Sequence, residues 1–188
     1  DFLNQHNNFG LTIYLSDESE ELLDTGGGIK KAEQWLNDEP FLVHNVDILS
    51  NADLKGLYEQ HCLNDALATL LVSNRKTARY LLFDQNKVLK GWINKSNGET
   101  KSPYPNFEAD EYSPYAFSGI HILSPSIFTA MKEYPLRFPI MDFYLKEAVK
   151  YTIKGSIADN LKMVDVGKFD SLNDAEYFFN KEINSNHY

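Results

Sequence analysis

A chain of 188 residues can bury one substantial α/β core and is too short for two comfortable domains. Its 43% hydrophobic and 24% charged content, with 11 Tyr and 12 Phe, argues against disorder, and a formal net charge of −9 excludes the basic footprint of a general nucleic-acid binder. Cys62 is the only cysteine, so no intrachain disulfide forms and a reducing, cytoplasmic compartment is expected. No apolar run is long enough to cross a bilayer, and the opening residues carry no secretory pattern.

In chain order, Asp1–Asn8 reads as the end of a helix, and an upstream piece is expected before it. Leu11–Leu15 is a short β-rich run, followed by the polar Ser16–Glu20. Glycines at 26, 27 and 28 lead into a helical pattern over Ile29–Leu36. Pro40–His44 predicts a buried strand ending at Asn45-Val46-Asp47, and a helix follows around Asp53–Leu63. Ala66–Val72 has the continuous apolar character of a strand covered on both faces.

Arg79–Phe83 and Lys87–Ile93 flank the turn Asp84–Lys87 and predict a hairpin, while Lys95–Asp110, with Pro103 and Pro105, predicts a surface loop. Tyr115–Leu123 predicts a strand, and Ser124-Pro125 starts a helix. Ile140–Tyr151 is an amphipathic helix, Lys154–Ile157 and Lys162–Val166 are short strands, and Ser171–Ile183 closes as a helix. Strands alternating with helices imply one domain, a mostly parallel sheet with helices on both faces, made mixed by the hairpin.

Three places could carry chemistry. Asp24-Thr25-Gly26-Gly27-Gly28 lacks Cβ atoms where a helix opens, so it either admits a flat or anionic ligand close to the backbone or only supplies the turn before the helix. Its spacing fits neither a Walker loop nor a dinucleotide fingerprint. Asp47 follows an apolar strand, and ligands of open α/β sheets bind at the carboxyl ends of strands; a capping role is the plainer reading of one such Asp. Asp165 ends another short strand, with Gly167 turning the chain away. Two carboxylates on neighbouring strand ends repel unless a cation sits between them.

Taken together, Leu22–Lys30, Phe41–Ile48, Phe117–Pro125 and Asp165–Lys168 with Ser171-Leu172 fall in the order seen in sugar-1-phosphate nucleotidyltransferases. Across nearly its whole length the chain resembles that family, most of all the branch of N-acetylmuramate-1-phosphate uridylyltransferase and the mannose-1-phosphate guanylyltransferase-like proteins. The resemblance implies a three-layer α/β/α, Rossmann-like (GT-A-like) fold. It implies transfer of a nucleoside monophosphate from a nucleoside triphosphate to a sugar 1-phosphate, feeding cell-wall or polysaccharide precursors, with a UDP-sugar favoured and a GDP-sugar next. Its implied cofactor is Mg²⁺, held by Asp47 and Asp165 as metal ligands and catalytic residues. Thr25, Gly26, Gly27 and Asn45 would bind the nucleotide, and Ser118 and Gly119 the sugar.

The departures carry information. Val46 stands where the family commonly has Gly, and the Glu-Lys-Pro motif whose lysine contacts phosphate is missing around Lys90–Lys95. The family's glycine-rich, arginine-bearing loop is not in this chain, so an N-terminal strand and triphosphate loop are expected to be missing, and the 188 residues alone are expected to be inactive until upstream residues are restored. His44 and His121 read as packed or hydrogen-bonded, and His61 and Cys62 as structural. Lys30 and Lys31 read as solvated, as does Lys168, which could nonetheless reach phosphate. Partners are the triphosphate and the sugar phosphate, with no nucleic acid, no membrane, and a monomer or homo-oligomer. Two other readings are a nucleotide-sugar-dependent glycosyltransferase, weakened because Asn45-Val46-Asp47 lacks the first acid of an Asp-x-Asp pair, and a silent sugar-nucleotide sensor.

Overall fold

The structure is a computed structural model and describes residues 2–167, 172–178 and 180–181. The chain opens with α1 (Phe2–Gln5) and a 3-10 turn, Asn7–Gly10. Leu11–Leu15 forms no strand: it has no partner among the described strands, and Leu11, Tyr14 and Leu15 stay exposed. Strand propensity cannot hold a segment that has no ladder to join.

Helices α2 (Asp24–Lys31) and α3 (Glu33–Leu36) follow, then β1 (Phe41–His44) and β2 (Ile48–Ser50). The helix α4 (Leu54–Cys62) begins where the Asp53 carboxylate accepts the Gly56 N–H at 2.9 Å, an N-cap that settles its boundary. Next come β3 (Ala68–Ser73), β4 (Arg79–Phe83), β5 (Leu89–Asn94) and β6 (Glu99–Lys101). The β4–β5 hairpin turns because Asp84 Oδ1 accepts the N–H groups of Asn86 and Val88, each at 2.9 Å, letting Lys87 adopt φ +60°. β6 is a strand where a loop was expected; it is wholly exposed and owes its shape to pairing with β5.

The chain continues as β7 (Ser113–Leu123), α5 (Ser126–Met131), α6 (Ile140–Glu147), β8 (Ile153–Ile157), β9 (Met163–Asp165) and α7 (Leu172–Phe178). Seven strands form one sheet in the order β6-β5-β4-β7-β3-β8, with β1 also paired to β7. The sheet is mixed, as expected, but its balance is mainly antiparallel rather than parallel: among the described strands only β3 and β8 pair in parallel. The long β7 is the reason, since it runs antiparallel to β1, β3 and β4 at once.

Every residue of β3 is buried. Alternate residues feed two cores, Leu70 and Val72 packing with Ile29, Ile127 and Phe143, and Leu71 packing with Ile48, Leu57, Ile120 and Ile122. Helices α2, α5 and α6 therefore cover one face and α4 the other, giving three layers, each fully buried Leu, Ile or Phe contributing about 1.5–3 kcal/mol of burial. Among the described residues no helix is long and apolar enough to cross a membrane.

Candidate active site

β1 leaves the sheet at His44, and the chain makes a tight turn in which the Ile48 N–H donates to Asn45 O at 3.1 Å. Asp47 sits in that turn and enters β2. Far along the chain, β9 pairs antiparallel with β2, bringing Asp165 opposite Ile48. The Val166 N–H donates to Asp47 O at 2.8 Å, and the Gly167 N–H donates to Asp165 Oδ1 at 3.0 Å. Two acids 118 positions apart in the sequence are thus tied to one short ladder.

Both carboxylates border Gly167. A Cβ at that position would lie 3.1 Å from Asp47 Oδ2 and 3.2 Å from Asp165 Oδ1, so a side chain there would intrude on the space the two acids share. Neither acid takes part in the ion pairs found among the described residues. Two hard oxygen donors around a cradle that only glycine leaves open fit a hard divalent cation, with substrate phosphates and water completing its shell. No cluster of three or more His, Cys, Asp or Glu able to hold a metal occurs among the described residues.

Two hollows meet beside them. One, of about 320 Å³, includes Asn45, Arg75, Ser118, Gly119 and Asp165 in its lining. The other, of about 730 Å³, runs between β1, β7 and the starts of α2 and α6, with Thr25, Gly28, Asn45, His121 and Arg137 along it. Asn45 and Phe117 line both, so the two hollows lie side by side as neighbouring parts of one cleft region, each of a size that suits a small ligand or part of one. A third hollow, of about 620 Å³, is lined by Asp17, Glu18, Glu20, Glu21 and Glu33 against Lys30 and Lys31, so acids outnumber bases there and disfavour an anionic ligand.

The expected nucleotide contacts divide. Thr25 and Asn45 line the cleft. Gly26 and Gly27 do not: both are buried inside α2, and their N–H groups donate to Phe138 O at 2.9 and 3.3 Å. Instead of a loop open to ligand, these glycines let α2 press against 136–138. Gly28 takes the cleft face. Asp24, at φ +61°, starts the helix, and Thr25 Oγ1 accepts the Ile140 N–H at 3.0 Å, tying α2 to the first turn of α6.

The expected sugar contacts are built on a β-bulge. β7 slips register against β3 between Leu70 and Val72, and Ser118 and Gly119 sit in the slip. The Ser118 hydroxyl donates to Leu71 O at 2.8 Å and accepts the Ile120 N–H at 3.2 Å, so it is committed to the backbone and offers the cavity shape rather than a hydrogen bond. Gly119 has φ +81°, and a Cβ there would come 2.9 Å from Asn45 Nδ2. Glycine is needed twice over, for the angle and for the asparagine lying on it. The possible phosphate contact of Lys168 falls outside the described residues. Lys30 donates to Lys132 O and Tyr134 O at 3.1 and 2.7 Å, and Lys31 to Asp17 O, so neither points at the cleft.

His61 and His121 behave as packed groups, whereas His44 is exposed, with Nδ1 2.8 Å from Asn45 O. His61 is buried, with Nε2 bonded to Ser124 Oγ at 3.0 Å and Nδ1 to Thr69 Oγ1 at 2.8 Å, while Cys62 beside it is exposed. Ser124 gives its own hydroxyl proton to Ala66 O, which leaves the Nε2–H tautomer in a neutral ring, and burial lowers its pKa. His121 is 2% exposed, with Nδ1 2.9 Å from the Tyr144 hydroxyl, and burial lowers its pKa from the ordinary 6.5 to about 3.

A histidine held neutral by the fold binds fewer protons than its unfolded counterpart. Its contribution is intact above about pH 6.5 and is lost as pH falls toward 3. Between about pH 7 and 5 His121 alone should cost about 2 kcal/mol of stability. Chemical denaturation at the two pH values should therefore show a smaller gap for His121→Gln than for the wild type; equal gaps would mean that this ring titrates normally in the fold.

Sequence reasoning missed Arg75 and Arg137. Arg75 follows β3 in an exposed loop and Arg137 precedes α6, and neither position carries a motif. Arg137 Nε lies 3.4 Å from Asp24 Oδ2 at the cleft rim. A cue was available for Arg75, a basic residue just after a mostly apolar strand, where α/β sheets place their ligands.

A mixed sheet between helical layers is shared with solved nucleotidyltransferases of Rossmann-like fold, which superpose on the chain. The inositol-1-phosphate CTP transferase from T. maritima matches with a TM-score of 0.70 at 14% identity, covering 96% of this chain and 70% of that one. A UTP-bound UGPase from Acinetobacter baumannii matches with a TM-score of 0.68 at 14% identity, covering 97% and 70%. In sequence, the mannose-1-phosphate guanylyltransferase catalytic subunit beta of Drosophila melanogaster is 27% identical over 131 residues, which is 67% of this chain and 32% of that protein. The match thus spans about a third of that relative's length. No protein-family model matches the chain. These likenesses bear out the resemblance to sugar-1-phosphate nucleotidyltransferases read from the four motifs.

Proposed function

We propose that the protein transfers a nucleoside monophosphate from a nucleoside triphosphate to a sugar 1-phosphate, releasing pyrophosphate and forming a nucleotide sugar. The observation that carries this reading is the convergence of Asp47 and Asp165 around Gly167, beside a cleft lined by Thr25 and Asn45. Those two acids would hold Mg²⁺, which when bound would neutralise charge on the reacting phosphates.

An oxygen of the sugar phosphate attacks the α-phosphorus and forms a new P–O bond. The bond from that phosphorus to the bridging oxygen of the β-phosphate breaks, and pyrophosphate leaves with the electron pair. The nucleophile is already anionic, so no proton has to be removed. The neutral, buried His121 agrees with that economy: it shapes the cleft wall and cannot serve as a base of ordinary strength. The chain's residues act by positioning, with Asn45 lying on Gly119 where the two hollows join.

We assign the nucleotide as UTP first and GTP second, on the likeness of the motifs to the muramate uridylyltransferase branch; the relatives named above span guanine, cytosine and uracil. The test is a panel of four nucleoside triphosphates against sugar 1-phosphates, read by pyrophosphate release with and without Mg²⁺, on the protein as the cell makes it. Release that requires one triphosphate, one sugar phosphate and the metal is the expected result. Silence across the panel, with turnover of a nucleotide sugar instead, would hand the protein to the glycosyltransferases.

A further inference from the structure

We propose that Arg75 binds the phosphate group of the sugar 1-phosphate, an assignment that rests on the nucleotidyltransferase reading for the identity of the ligand. Among the described residues lining the 320 Å³ hollow, Arg75 is the one cation and Asp165 the one anion. Arg75 lies two residues past the end of β3 and is exposed, yet it is not loose: its Nη2 donates to Phe117 O at 3.0 Å, which fastens the guanidinium to the strand that carries the Ser118–Gly119 bulge. That bond uses one of five N–H donors. In a chain of net charge −9, Arg75 still takes part in none of the ion pairs found among the described residues.

Among the described residues, the competing cations near the cleft are occupied. Lys30 and Lys31 are spent on backbone carbonyls, and Arg137 faces Asp24. No Glu-Lys-Pro stretch occurs in this sequence, which leaves the phosphate of the sugar half open to a donor such as Arg75. A planar guanidinium presents a fork that matches two oxygens of a phosphate monoester, and a dianion beside Asp165 requires positive charge close by. Arg75 supplies that charge from the protein itself, independently of any cation at Asp47 and Asp165.

The experiment pairs a binding measurement with kinetics on the wild type, R75K and R75Q. Titration with inorganic phosphate in the presence of Mg²⁺ should show affinity reduced by about 10–100-fold in R75Q and recovered in part by R75K. In the pyrophosphate-release assay R75Q should raise KM for the sugar phosphate by about the same factor and leave KM for the triphosphate unchanged. Thermal melting of both variants should match the wild type, since the side chain is exposed. If the wild type turns over but R75Q keeps its KM for the sugar phosphate, the Arg75 assignment falls and the nucleotidyltransferase reading stands. If phosphate binding depends on Arg75 while no pair of substrates reacts, the anion site stands and the reading of the reaction falls. Wild-type protein that binds no phosphate, or binds it equally well as R75Q, overturns the proposal outright.

Discussion

Asp165→Ala and Asp47→Ala are each expected to lower metal-dependent pyrophosphate release by about 10³-fold or more, close to 4 kcal/mol of transition-state stabilisation. The double variant should lose little beyond either single one, the result expected of two acids that hold one ion. The geometry separates this role from a structural one. Asp47 contributes to the fold through its backbone carbonyl, which accepts the Val166 N–H, and that bond survives truncation of the side chain. Asp165 Oδ1 accepts the Gly167 N–H, and Asp165→Asn retains an oxygen for it.

In metal-free solution, removing one of two neighbouring carboxylates relieves repulsion, so Asp165→Asn should be as stable as the wild type or slightly more so. Addition of Mg²⁺ with nucleoside triphosphate should then raise the melting temperature of the wild type alone. A double variant that turns over at the wild-type rate, or an Asp165→Asn protein that gains the same thermal shift, would remove the acids from the reaction.

Gly27→Ala is expected to destabilise the fold by roughly 3 kcal/mol, an effect at the upper end of overpacking substitutions. A Cβ at Gly27 would stand 2.0 Å from Leu136 O and 2.8 Å from Leu23 Cβ, and a backbone carbonyl cannot swing aside as a side-chain tip can. At Gly26 the obstacles are the Phe138 ring at 2.3 Å and Phe138 O at 2.7 Å. Either substitution pushes α2 off 136–138 and loosens the bond from the Ile140 N–H to Thr25, so the cleft wall shifts too. Gly28→Ala is the internal control, since its Cβ would meet only the Glu18 carboxylate, the end of a flexible side chain. Urea denaturation midpoints rank the three variants, and Gly27→Ala matching Gly28→Ala would refute the close approach.

The elements whose residues carry their own reason to form were legible without coordinates. β3 is apolar at nearly every position, and it is buried on both faces. Asp53 caps α4 and Asp84 turns the β4–β5 hairpin, both through short-range bonds from a side chain to nearby N–H groups. Misreadings came where a partner decides. Leu11–Leu15 has strand composition and no strand beside it, whereas Glu99–Lys101 has a loop's composition and pairs with β5.

By itself the sequence determined an α/β chain with helices on both faces of a mixed sheet, and two acids at strand ends as the place to look for chemistry. That much follows from periodicity and local bonding, which act within a few residues. The tertiary structure alone decided that Asp47 and Asp165 share the space over Gly167, because only the pairing of β2 with β9 spans the residues between them. It also turned Gly26 and Gly27 inward, committed the Ser118 hydroxyl to a bulge and placed Arg75 on the hollow that Asp165 lines. In each case the deciding contact lies with a residue distant in the chain, and a side chain's composition does not specify which distant surface it will meet.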